Sequence, residues 1–322
     1  MRMLKSIWEV KNRVKLRYPA LWSGISWWYY EWPLLVCLFD SQVLRTIVKN
    51  RLSRRRALFY PTMPIHEHTI YKILYLLGYS LSNDISHPGN VVVSWSYDTY
   101  KSRCTELEEI SRSDKVLNLQ CTDISKEKVA TIFHKVFGYD YAVNPLTYSG
   151  LCVKKSNINA RHDGVVINCP IDNRDVTSVY QKVVNNQVDG GLVMDIRVPI
   201  IGTHLPYAYL KYRPLSNRFS NANTKALVVD VETVISVRER EQILCFAKEM
   251  GLDFGEIDFA RDRDDGRLYA LDVNSTPGGP PNHISLKDWI KAMKMQTMVF
   301  KALVIDAHRN FTKADICTGI TS

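Results

Sequence analysis

Residues 254–274 read FGEIDFARDRDDGRLYALDVN: two apolar runs on either side of the polar stretch RDRDDG. An antiparallel hairpin satisfies both runs, because it buries one face of each and leaves the charged turn in water. Alternate side chains of a strand share a face, so Asp272 and Asn274 point one way while Leu271 and Val273 point the other. Closing the hairpin brings Asp258 within reach of that pair. Two carboxylates and a carboxamide oxygen on adjacent strands suit Mg²⁺, which takes one or two protein oxygens and fills its octahedron with phosphate and water. Pro277, Gly278 and Gly279 then turn the chain away and leave backbone open to close approach.

The rest of the chain decides whether this is a site or a half-exposed hairpin. With 322 residues and 46% hydrophobic content, it can bury a large core and divide into more than one unit. Seven cysteines without a C-x-x-C spacing fit reduced, mostly buried thiols and a cytoplasmic protein. No stretch near the start has the pattern of a secretory signal.

The formal charge of +9 is not spread evenly. Residues 1–60 hold 12 of the 42 Lys and Arg against 3 of the 33 Asp and Glu, leaving 30 of each sign in the remainder. That segment also holds five of the seven tryptophans, Trp8, Trp22, Trp27, Trp28 and Trp32. Two readings stand for residues 1–56: a peripheral contact with an anionic membrane surface, or packing of the aromatics on protein, in this chain or a second subunit. Glu31 and Pro33 interrupt the run from Tyr18 to Phe39, which argues against a spanning helix. No nucleic-acid recognition motif accompanies the charge, so specific nucleic-acid binding is not expected.

After RLSRRR (51–56), ALFY (57–60), VVVSW (91–95) and VLNLQ (116–120) read as buried strands, and 65–79 as a helix ended by Gly78. A helix is expected over 123–139, capped by Ser125 and stopped at Gly138. GLCVKK (150–155), VVINCP (165–170), VTSVYQKVV (176–184) and LVMDIRVPII (192–201) read as strands, and 238–251 as a further helix. The pattern is α/β (α+β), divided as a basic Trp-rich segment 1–54, an open α/β unit 55–120, a small unit 121–185 and a larger unit 186–322 with the hairpin and a C-terminal helix.

The run D-F-x(5)-D-G-x-L-Y-x-L-D-x-N-x-x-P-G resembles the metal-binding signature of the ATP-grasp superfamily, with Asp272 where glutamate is usual. DIRVPIIG (195–202), YLKYRP (209–214) and NRFSNAN (217–223) are similar to blocks of its glutathione synthetase-like and ribosomal-protein glutamate ligase-like branch. The resemblance covers about 120–285. It implies an ATP-grasp fold behind a pre-ATP-grasp α/β domain, with ATP and one or two Mg²⁺ (or Mn²⁺) as cofactors and Asp258, Asp272 and Asn274 as metal ligands.

The same resemblance implies Lys126, with Lys128 as the alternative, and Lys154 as the lysines on the phosphates, and a lid at SNINARHDG (156–164) in which only Gly164 is glycine. It places Gln181 and Val184 at the adenine edge, Asp189 at the ribose and Lys211 in the nucleotide site. Arg197, Arg213 and Arg218 face the acyl substrate. The implied activity is ligation of a small-molecule or peptide carboxylate to an amine through an acyl-phosphate. A kinase that stops after phosphoryl transfer and a non-catalytic nucleotide-binding protein are the alternatives. Nothing in the sequence identifies the substrates or the oligomeric state.

Overall fold

The computed structural model describes residue 37 and residues 40–220 and 222–305. Most of the basic Trp-rich stretch therefore lies outside the described residues. Its last part is a helix, α1 (Ser41–Leu52), whose N-cap Asp40 accepts a hydrogen bond from the Gln42 amide and pairs with Lys294 at 2.8 Å.

A parallel sheet follows, in the order β2-β1-β3-β4: β1 (Arg56–Pro61), β2 (Ser80–Ser82), β3 (Val91–Trp95) and β4 (Val116–Leu117). Between its strands lie α2 (Thr69–Leu76) and α3 (Thr105–Ile110). The VLNLQ strand stops after two residues because Asn118 turns left-handed, with φ 58°. That turn is a staple. The Asn118 amide donates to Asp253 Oδ2 at 2.8 Å, its Nδ2 to the Phe254 carbonyl at 2.7 Å, and its Oδ1 accepts from the amides of Asp253 and Phe254, both at 2.9 Å. It ties the parallel sheet to the start of the strand that carries Asp258. Asn118→Ala leaves these buried groups unpaired and places alanine in a conformation it disfavours, so a loss of about 3 kcal/mol or more is expected in denaturant unfolding.

The helix expected over 123–139 is α4 (Lys126–Phe137), with Ser125 as N-cap and Gly138 left-handed at its end. An antiparallel sheet in the order β6-β5-β7 comes next: β5 (Gly150–Ser156), β6 (Val165–Cys169) and β7 (Ser178–Lys182). The third sheet is six-stranded. Its order is β11-β10-β9-β12-β13, with β8 (Gln187–Val188) on β9: β9 (Leu192–Ile201), β10 (Ala208–Pro214), β11 (Lys225–Val229), β12 (Phe254–Arg261) and β13 (Leu268–Asn274). The expected hairpin is β12–β13, and α5 (Val237–Glu249) and α6 (Leu286–Phe300) are the remaining α-helices of the described residues.

The third sheet has two unlike faces. Ile196, Val198, Ile257, Phe259 and Val273 point into a core shared with Val129 and Phe133 of α4 and Ile243 and Phe246 of α5. On the opposite face, Tyr207 and Tyr209 are covered by α6, whose Gln296 donates to the Tyr207 hydroxyl at 2.5 Å. Beyond them that face opens into a cleft.

Candidate active site

Cross-strand register builds the floor of the cleft. Asp258 stands opposite both Arg197 and Asp272, Glu256 opposite Asn274, and Lys211 opposite Asp195. Since alternate residues share a face, Asp195, Arg197, Lys211, Arg213, Asp258, Asp272 and Asn274 all project to one side. They line a cavity of about 620 Å³, roofed by the lid loop 156–164, by residues 278–282 and, from the first sheet, by Glu67 and Tyr97.

Asp258 is the most heavily engaged carboxylate. Arg197 grips it bidentately, Nε to Oδ1 at 2.8 Å and NH2 to Oδ2 at 2.9 Å, while Lys211 Nζ reaches both oxygens at 2.9 and 3.0 Å. Burial alone raises its pKa, but the two cations outweigh burial and hold it well below the usual carboxylate range. Asp258 is thus an anion at any working pH. Behind it, Glu256 is 2% exposed, with Arg197 NH1 at 3.2 Å from Oε2 and no hydrogen bond to either oxygen. Burial pushes its pKa up to about 7, against the pull of Arg197.

Asp272 has a different cation. Lys126, buried at the first turn of α4, pairs with it and donates to Asn159 Oδ1 of the lid at 2.7 Å. Lys128, the alternative, is exposed on the other side of the helix. The lid is pinned in turn by Asn157, whose Oδ1 accepts from the Glu127 amide at 2.9 Å, and by the Asn159 amide, which donates to Thr99 at 2.9 Å. Gly164 is needed where the loop meets the 217–223 loop, because a Cβ there falls 2.7 Å from the Phe219 ring.

The structure corrects the second lysine. Lys154 shares a face of β5 with Cys152, points away from the cleft and pairs with Asp175 at 2.9 Å, which raises its pKa. Its neighbour Lys155, on the face of Val153, lines the cleft, with Nζ 3.3 Å from the Leu271 carbonyl. Burial first, then the nearby Lys126, lowers its pKa to about 7. Asp189 is also displaced from its expected place: it is exposed in a one-turn helix and does not line the cleft.

Gln181 and Val184 do line the cleft, on the strand-to-loop junction after β7. The Val184 carbonyl accepts from Arg218 NH2 at 2.8 Å, and the Arg218 carbonyl accepts from Arg213 Nε at 2.7 Å. Arg213 also pairs with the buried Asp195, which accepts from Asn186 Nδ2 at 2.9 Å. Arg213 and Arg218 therefore brace this wall as well as facing the cavity. Reading the sequence did not single out Lys155, Asp195, Glu256 or Tyr141. Tyr141 is 2% exposed, lines the cleft, and its hydroxyl has no partner within the protein.

Among the described residues no three His, Cys, Asp or Glu side chains converge as a metal cage. The donor set is still that of a hard cation sharing its shell with phosphate and water: two carboxylates and Asn274 Oδ1. That amide oxygen accepts from the Thr276 amide at 2.9 Å, and its second lone pair has only a long 3.4 Å contact from the Thr276 hydroxyl, which a cation could displace. The residues fit Mg²⁺.

No family model matches the sequence, and no curated protein matches it. Among solved structures the chain is similar to the D-alanine–D-alanine ligase of Bacillus anthracis, with 13% identity, 77% of this chain and 96% of that one covered, and a TM-score of 0.50. It is also similar to the ATP-grasp ligase PsnB complexed with precursor peptide PsnA2 and AMPPNP, at 14% identity, 76% and 97% coverage and TM-score 0.47. A RimK domain ATP-grasp protein from Sphaerobacter thermophilus matches at 9% identity, 78% and 99% coverage and TM-score 0.45. The chain has the ATP-grasp fold.

Proposed function

We propose that this protein is an ATP- and Mg²⁺-dependent ligase that joins a carboxylate to an amine. The observation that carries this is the single sheet face on which Asp258, Asp272 and Asn274 stand among Lys126, Lys155, Arg197 and Lys211. Such a surface holds a polyanion and a divalent cation together. No nucleophile–base pair is needed for the chemistry that follows.

Lys126 and Lys155 hold nucleotide phosphates as compact cations, with Gln181, Val184 and Tyr141 toward the base. Asp258, Asp272 and Asn274 would hold Mg²⁺, which supplies charge neutralisation for the transferred phosphoryl group. A substrate carboxylate oxygen attacks the γ-phosphorus and ADP leaves, giving an acyl-phosphate. The amine nitrogen then attacks the acyl carbon, phosphate leaves, and the amine gives up a proton as the amide forms. Arg197 or Arg213 is the arginine assigned to the oxyanion of that second step. The neighbour with TM-score 0.50 is by name a D-alanine–D-alanine ligase, which supports joining of a carboxylate to an amine as the class of reaction.

Lys155 gives nucleotide binding a pH signature. In the free protein its ammonium loses a proton as pH rises through about 7, whereas bound phosphates favour the charged form. Affinity is therefore full below about pH 7 and falls above it, by up to about tenfold per pH unit. Calorimetric titration with ADP between about pH 6 and about pH 9 should show this fall together with proton uptake, and Lys155→Met should abolish both.

Turnover is tested by incubating the protein with Mg·ATP and pooled amino acids, short peptides and small carboxylates, then reading ADP and new masses. ADP with a product lighter by one water than its two parents supports the ligase. A phosphorylated product that persists overturns it in favour of a kinase, and no nucleotide binding in Mg²⁺ defeats both readings.

A further inference from the structure

The helix that ends the basic Trp-rich segment has two faces that the catalytic reading does not use. Helix α1 is anchored on its inner side: Val43 packs on the core, the Ile47 backbone abuts Gly78, and Asn50 Nδ2 donates to the Leu77 carbonyl at 2.7 Å. On its outer side Leu44, Val48 and Leu52 are 45%, 55% and 80% exposed. At i, i+4 and i+8 they form one line along the helix. At 100° per residue, Arg51 falls on one flank of that line, and Arg45 and Lys49 fall on the other. Arg54, Arg55 and Arg56 continue the charge, and no Asp or Glu occurs from residue 41 to residue 66.

We propose that this face of α1 lies on an anionic lipid surface, with Leu44, Val48 and Leu52 in the headgroup–acyl boundary and the flanking cations among the headgroups. Charge complementarity selects this occupant. The chain's own residues 1–39 carry six Lys and Arg against two Glu, so they bring more positive charge and cannot neutralise the flanks. A protein groove over the ridge would need acidic residues on both rims, whereas an anionic bilayer supplies countercharge on both sides of an apolar line by its nature. The five tryptophans of residues 1–39 add side chains whose rings favour the same interface. No helix among the described residues is long and apolar enough to cross a membrane.

The test is sedimentation of the full chain with phosphatidylcholine vesicles, with and without phosphatidylserine. Binding should require phosphatidylserine and be released as salt rises from about 0.1 M to about 1 M. Replacing Arg45, Lys49 and Arg51 with Gln should weaken it about a hundredfold, and replacing Leu44, Val48 and Leu52 with Gln by at least about tenfold. Both variants should keep the parent's unfolding midpoint and basal ATP consumption, since all six side chains are exposed and outside the cleft. Equal binding to neutral vesicles, no binding to either kind, or wild-type binding by the Leu44/Val48/Leu52 variant each overturns the proposal.

Discussion

Asp258→Asn is expected to slow ATP-dependent product formation by at least about 10³-fold, the largest loss from any single change in the cleft. Asparagine keeps the shape but removes the charge that Arg197 and Lys211 clamp and that a divalent cation needs. The two cations then stand buried with Glu256 as the nearest anion, 3.2 Å from Arg197. Breaking a buried pair this way costs about 3–5 kcal/mol, and the remaining Glu256 contact puts the expected value at the lower end. Unfolding midpoints measured beside initial rates separate the two effects: at a temperature where the variant is folded, the rate loss should remain in full.

Arg213→Met is expected to be the most destabilising substitution in the same wall. It strips the buried Asp195 of its ion-pair partner, leaving Asn186 as a hydrogen-bond donor, and frees the Arg218 carbonyl. A loss of about 3–5 kcal/mol is expected in denaturant unfolding. The double change Arg213→Met with Asp195→Leu should recover most of it, because replacing both members of a buried pair with apolar groups removes the unpaired charge. Arg240 and Glu232 are the contrast. That pair is exposed, and Arg240→Ala should change stability by less than about 1 kcal/mol. Similar losses in the two single variants would mean that Asp195 is not desolvated in solution.

What the sequence shows and what it hides have separate causes. The hairpin is legible because period-two alternation and a charged turn determine each other, and the register follows: Asp258 does stand opposite Asp272. Ser125 and Gly138 bound α4 because capping is local chemistry. Lys154 and Lys155 are adjacent lysines that look alike in sequence until the strand's faces are assigned. The assignment depends on Cys152 facing Cys169 and Tyr180, which is tertiary information. Asp189 lies outside the cleft for a related reason: the chain between β8 and β9 turns through Gly190 and Gly191 and leaves it in solvent.

Asp195 and Glu256 were passed over because their partners lie on other strands, and a carboxylate in a strand carries no mark of burial. Asn118 is further still from view. It reads as a polar residue that weakens a strand, and its role appears only when residues 253, 254 and 275 close around it.

Ligation as proposed requires that a carboxylate be activated by phosphoryl transfer on this sheet face. The most direct measurement uses a substrate pair found in the pooled assay, with the acceptor carboxylate labelled with oxygen-18, and follows the inorganic phosphate by ³¹P NMR. Passage through an acyl-phosphate transfers one labelled oxygen from carboxylate to phosphate for each amide formed, and Asp258→Asn should remove that signal with the product. Amide formation with unlabelled phosphate, or ADP release that leaves the label wholly on the carboxylate, would contradict it.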